Sequence, residues 1–157
     1  MNLMALQKIR SIVFAGIIAG TLDGLAAAII YFLRTGKNPL AVYRFIASGI
    51  FGQEALSGGT SMALLGIFFH YGIAFGWTLL FFRVCLKLSF LLKNWIVSGI
   101  AYGLVVWLSM NLIVLPLSRV PSSTITLSSA IIGISVLMVC IGLPIAFIAN
   151  KYYQKNR

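Results

Sequence analysis

Residues 11–33, SIVFAGIIAGTLDGLAAAIIYFL, form an apolar run of helix length with one carboxyl group, Asp23, at its middle. A bilayer's hydrocarbon core of ~30 Å needs ~20 helical residues, so this run is long enough to cross it. Asp23 is one of only two acidic side chains in 157 residues, which makes its position the most informative in the chain. An ionised Asp at that depth costs roughly 2.5–3.5 kcal/mol on insertion scales, so it is expected to face a bundle interior or an aqueous cavity and to find a partner. The only histidine, His70, is the expected partner.

Composition sets the class. With 61% hydrophobic and 9% charged residues and a mean hydropathy of +1.03, the chain has too little polar surface to coat a soluble globule. A net charge of +10 suggests nucleic acid at first. The twelve Lys and Arg residues, however, fall at the edges of apolar runs, so anionic lipid headgroups are the expected counterions and nucleic acid is not an expected partner. Cys85 and Cys140 form neither a Cys-x-x-Cys motif nor a secreted disulfide framework and read as packing thiols.

Three more runs match the first. Residues 61–82, 96–117 and 127–150 each have the length of a crossing helix, giving an all-α polytopic membrane protein in one four-helix domain, 1–157. Lys8 and Arg10 before an apolar stretch resemble a signal peptide, but the stretch exceeds the usual ~7–15 residues and no small-residue cleavage site follows, so it is kept as the first span. Lys8, Arg10, Arg83, Lys87, Lys93, Lys151, Lys155 and Arg157 lie on one side; Arg34, Lys37, Arg44 and Arg119 lie on the other. That count of eight against four predicts that both termini are cytoplasmic. Trp95, Tyr152 and Tyr153 sit beside Lys or Asn on the same side and are expected to anchor at headgroup level.

Between the first two spans, residues 39–52 are apolar but too short to cross. Asn38 and Pro39 suit an N-cap and first helical position. The segment is predicted to be a short interfacial or re-entrant helix on the external face. It either lies flat on the membrane or acts as a gate over the bundle, with Arg44 and Glu54 as a candidate external gate pair.

Gly16, Gly20 and Gly24 recur every four residues in the first span, with Ala27 extending the face. Small residues at this spacing admit a close helix neighbour, within the chain or across a dimer. Asp23 lies ~60° round the helix from Gly20 and borders that face. In the second span Ala63, Gly66, His70 and Ala74 share one face. Counted from the external ends, Asp23 lies ~15 Å deep and His70 ~13.5 Å, so a contact between them is geometrically reasonable. The plain alternative is that both groups hold helices together, since interhelical hydrogen bonds in membranes average ~0.6 kcal/mol and reach about 1.7.

The third span contributes Gly99, Gly103, Trp107 and Asn111 along a drifting stripe, with Asn111 ~9 Å below the external end, where its amide extends a polar path from the pair or serves as helix glue. In the fourth span Pro144 predicts a kink. No His-Glu-x-x-His helix, phosphate-binding glycine loop or dinucleotide fingerprint is present, so no metal or other cofactor is expected. Gly59-Thr60-Ser61-Met62-Ala63 misses the nucleophile-elbow pattern at its last position, and Ser48-Gly49 only faintly resembles the serine motif of intramembrane rhomboid proteases, which use more spans than this chain has. A Ser48 or Ser61 nucleophile with His70 as base is the enzyme alternative.

Together, the G-x-x-x-G-x-x-D element of the first span, TGKNPL, FIASGIFG, the Gly58-Gly59 pair, the central Phe-His-Tyr and MNLIVLPLS resemble an uncharacterised family of small bacterial inner-membrane proteins. The resemblance covers most of the chain and implies a four-span bacterial membrane protein, with no substrate or catalytic residue to carry over. Two functional classes follow. One is a proton-linked transporter or channel component in which Asp23 and His70 exchange a proton. The other is a structural or accessory protein that binds another membrane protein. Four spans are few for a transporter, so the first class calls for a homodimer or larger assembly, with Gly16, Gly20 and Gly24 as its interface.

Overall fold

The computed structural model describes residues 3–121 and 126–155, and among them every regular element is helical. Four long helices, α1 (Leu3–Thr35), α4 (Gly59–Lys87), α5 (Trp95–Leu117) and α6 (Leu127–Lys155), are each long and apolar enough to cross a membrane. Two short helices, α2 (Leu40–Phe51) and α3 (Glu54–Ser57), lie between α1 and α4. This is the predicted all-α, four-span architecture with a short helix after the first span. Arg157 of the charge count lies outside the described residues.

Local chemistry sets the boundaries. The Asn38 side chain accepts from the Leu40 N–H at 2.9 Å, so it starts α2 as expected. Gly52, at φ 72°, ends α2 in a conformation that favours glycine. Asn94 caps α5 through the Val97 N–H, and Thr126 caps α6 through the Ser129 N–H. Pro144 does not act alone. Each of the last two long helices widens into a π segment, Met110–Val114 and Met138–Gly142, that ends two residues before a proline, Pro116 or Pro144. Both segments carry the pattern Met-x-x-Ile-x-Leu-Pro. A proline ring clashes with the carbonyl four residues earlier, and the wider turn relieves that clash without breaking the helix.

The long helices follow one another round the bundle in the order α4, α1, α6, α5. The termini meet: the Tyr152 hydroxyl donates to the Met4 carbonyl at 3.4 Å, and Tyr153 donates to the Phe82 carbonyl at 2.8 Å. These two tyrosine hydroxyls, expected to sit at headgroup level, are turned onto backbone carbonyls of the bundle. In this half Ala15 and Ala19 of α1 pack with Phe81, Phe82 and Cys85 of α4 and with Ile145, Ala146 and Ala149 of α6. The turn before α5 is held by Ser98, which donates to the Leu91 carbonyl at 2.7 Å, and by Asn150, which donates to Leu92 at 2.6 Å.

Glycine faces allow the closest approaches. A Cβ on Gly16 or Gly20 would run into the rings of Phe75 and Tyr71 of α4, so the repeat in α1 is filled by α4 inside the chain. Of the two neighbours expected for Gly16, Gly20 and Gly24, within the chain or across a dimer, the one that fills this face is within the chain. A Cβ on Gly103 would overlap the backbone of Met138, and one on Gly99 would lie 2.9 Å from the Leu143 Cα, so α5 and α6 cross backbone to backbone at the second π segment. A Cβ on Gly66 would collide with the Tyr43 carbonyl, which puts α2 in direct backbone contact with α4. Gly66 is seven residues into α4, or ~10 Å along its axis, so α2 is docked against the bundle and does not lie apart from it.

Candidate functional site

The far half of the bundle is not filled. Tyr102 of α5 donates its hydroxyl to the Trp77 carbonyl of α4 at 2.6 Å and packs edge-on against Trp77 and Phe81. From Trp77 toward the loop end, a cavity of about 560 Å³ separates α4 from α5. The π segments border it through Met110, Val114 and Ile141. Its roof is α2, through Phe45, Ile46, Gly49 and Ile50, and the Arg119 N–H donates to the Gly49 carbonyl at 2.9 Å to tie the third loop onto that roof. Phe68 and Ile73 line the cavity and are 70% and 37% exposed, so the space opens sideways between α4 and α5 past apolar side chains.

Asp23 and His70 are on the wall of this cavity. The sequence expectation that they share one site is met in that sense, but direct pairing is not. His70 is buried, and its Nε2 lies 2.8 Å from the Gly20 carbonyl of α1. A carbonyl oxygen can only accept, so Nε2 carries the proton and donates it. The oxygen's second lone pair allows this beside its own helical bond. The glycine face explains the choice: with no side chain at Gly20 or Gly24, the imidazole reaches the α1 backbone itself. A Cβ on Gly24 would lie 3.0 Å from His70 Nε2 and 2.9 Å from the Tyr43 hydroxyl. Asp23 shares the cavity wall with this ring and makes no hydrogen bond among the described residues. The carboxyl group is on the cavity wall, and with Nε2 donating to Gly20 the imidazole's second nitrogen, Nδ1, bears the lone pair.

Tyr43 and Tyr71 pack edge-on against His70, with ring centroids 6.1 and 5.8 Å away, and Tyr71 shares a 2.7 Å hydrogen bond with Thr21. Sequence reasoning missed Tyr43 and Trp77, one from the roof and one from the floor. The repeated Met-x-x-Ile-x-Leu-Pro pattern was the available signal for the π segments that border the cavity.

The remaining candidates lie elsewhere. Asn111 donates to the Trp107 carbonyl in its own helix at 2.9 Å and does not line the cavity, so the expected polar path is corrected. Its amide serves the backbone where the α-helix passes into the π segment. Arg44 and Glu54 form no ion pair among the described residues. The Gly52 turn separates them: Glu54 is exposed on α3, while Arg44 lies in a second hollow with Tyr31 and Leu56, its Nε buried without a hydrogen bond. Ser48 and Ser61 hydroxyls are engaged with the Phe45 and Gly58 carbonyls and are not directed at His70, so the nucleophile alternative has no geometric basis here. The described residues contain no cluster of three or more His, Cys, Asp or Glu side chains able to hold a metal ion.

Fold and site together define a helical, multi-pass membrane protein with a laterally open apolar cavity and two titratable groups on its wall. No family model, no curated protein and no solved structure matches the chain.

Proposed function

We propose that this chain is a proton-linked membrane carrier or channel component in which Asp23 and His70 exchange the coupled proton. The observation that carries the reading is their shared cavity wall: the one acid within a long apolar helix lines the same space as the one histidine. An ionised carboxylate among apolar side chains needs a counter-charge, and a proton is the simplest. His70, held by Gly20 through Nε2, offers Nδ1 as the neighbouring acceptor. The docked α2 serves as the lid on the loop side, and Tyr102 with Trp77 as the barrier on the side of the termini.

The eight-against-four distribution of Lys and Arg supports both termini being cytoplasmic, and the resemblance to small bacterial inner-membrane proteins supports that membrane as its location. Anionic headgroups are then the partners of the basic rims. In reconstituted vesicles, solute-driven proton flux is expected to be lost in Asp23→Asn and to lose its pH dependence in His70→Ala. Unchanged flux and pH dependence in both variants would sink the mechanism.

A second reading, an accessory protein or an assembly of several copies, is favoured by Gly72 and Gly76 of α4. They are exposed at four-residue spacing with nothing within 4 Å of a Cβ built on either. Mild extraction that yields a monodisperse single copy, with no other membrane protein attached, would count against it.

A further inference from the structure

We infer that the cavity takes a lipophilic organic cation, admitted from the membrane between α4 and α5 and exchanged against the proton on Asp23. The inference rests on the proton-exchange reading and adds the substrate class. Three features of the site support it. The volume of about 560 Å³ lies within the ~300–1,000 Å³ usual for small-molecule sites. Its wall is apolar and aromatic, with Phe45, Phe68, Phe69 and Trp77, and aromatic faces attract cations once water is excluded. Its single carboxyl group has no hydrogen bond, and no lysine or arginine lines the wall among the described residues.

The charge distribution selects the route. Arg34, Lys37, Arg44 and Arg119 are the basic residues of the loop end and repel a cation arriving from water on that side. The lateral mouth presents apolar side chains such as Phe68, Ile73 and Val114, which suit a molecule already dissolved in the bilayer. An anionic or neutral guest fits the volume but leaves the carboxyl group without a counter-charge.

Exchange balances one for one. The Asp23 O–H bond breaks, the proton leaves to water, with His70 Nδ1 as a relay that does not keep it, and the guest's positive charge replaces it beside the carboxylate, with no electrons transferred. Among the described residues, the titratable side chains packed on His70 are Tyr43 from α2 and Tyr71 from α4, both neutral phenols. With the displaced proton gone to water, the guest is the charge added to the cavity.

The test uses the full chain in nanodiscs with tetraphenylphosphonium, and with tetraphenylborate as a probe of the same shape and opposite charge. Protein-free nanodiscs supply the partition background. The expected result is saturable phosphonium binding that weakens as pH falls, releases about one proton per cation, drops at least tenfold in Asp23→Asn and persists in Asp23→Glu. The Glu variant keeps the test informative if Asp23→Asn fails to fold. Equal saturable binding of both probes, or phosphonium binding indifferent to Asp23→Asn, overturns the proposal. Asp23-dependent proton flux without phosphonium binding overturns the substrate class and leaves the proton-exchange reading standing. Asp23-dependent phosphonium binding without proton release supports the cation site and refutes the exchange.

Discussion

Replacing Gly66 by alanine should lift α2 from the bundle. A Cβ at that position would collide with the Tyr43 carbonyl and lie 3.0 Å from the Tyr43 Cα. These are backbone atoms, so they cannot swing aside as a flexible side chain can, and relief requires moving α2 as a body. Forcing an extra methyl into a packed contact costs typically about 1–3 kcal/mol. At about 1.4 kcal/mol per tenfold change, that shifts the docked-to-undocked ratio roughly 5- to 150-fold. The better helix propensity of alanine does not offset this, because α4 stays helical in both states. Hydrogen exchange of amides 40–51 in nanodiscs reads the effect directly: faster exchange is expected in Gly66→Ala and none of that change in Gly76→Ala, where a Cβ meets nothing within 4 Å. Exchange in Gly66→Ala equal to wild type would refute the docked lid.

Tyr102→Phe removes the hydroxyl bond to the Trp77 carbonyl and should lower stability by about 0.6 kcal/mol, the average for interhelical bonds in membranes, and by no more than their maximum of about 1.7, as read by unfolding in mixed micelles. Gly142→Ala places a Cβ onto the Gly99 carbonyl and should separate α5 from α6, a loss of about 1–3 kcal/mol or more visible in the same unfolding assay. Glu54→Gln should leave stability within about 0.5 kcal/mol of wild type, because its exposed side chain makes no ion pair with Arg44; a loss of 1 kcal/mol or more would restore the gate pair.

The four spans were readable because lipid-immersed helices are continuously apolar, and a long apolar run leaves few alternatives. The helices nevertheless run past the hydrophobic stretches, α1 from Leu3 and α6 to Lys155. Hydropathy marks immersion in lipid, whereas helical hydrogen bonding continues through Lys8, Arg10 and Tyr152. The spacing of Gly16, Gly20 and Gly24 showed that a neighbour could approach closely without saying which one; the neighbour is α4. His70 illustrates a deeper limit: its partner is a main-chain oxygen, and every residue has one, so side-chain complementarity pointed to Asp23. The cavity was not readable for a related reason. It depends on α4 and α5 standing apart above Tyr102 and on α2 closing the top, and these are relations between helices that no single helix's periodicity encodes.

The central claim, that Asp23 and His70 share one cavity while Gly20 holds the imidazole, is tested most directly by nitrogen-15 NMR of His70 in nanodiscs, in wild type and in Asp23→Asn. The account predicts that Nε2 carries the proton and Nδ1 the lone pair in both proteins, and that the Nδ1 resonance moves when Asp23 is replaced. A proton on Nδ1 in place of Nε2, or imidazole resonances identical in the two proteins, would contradict it.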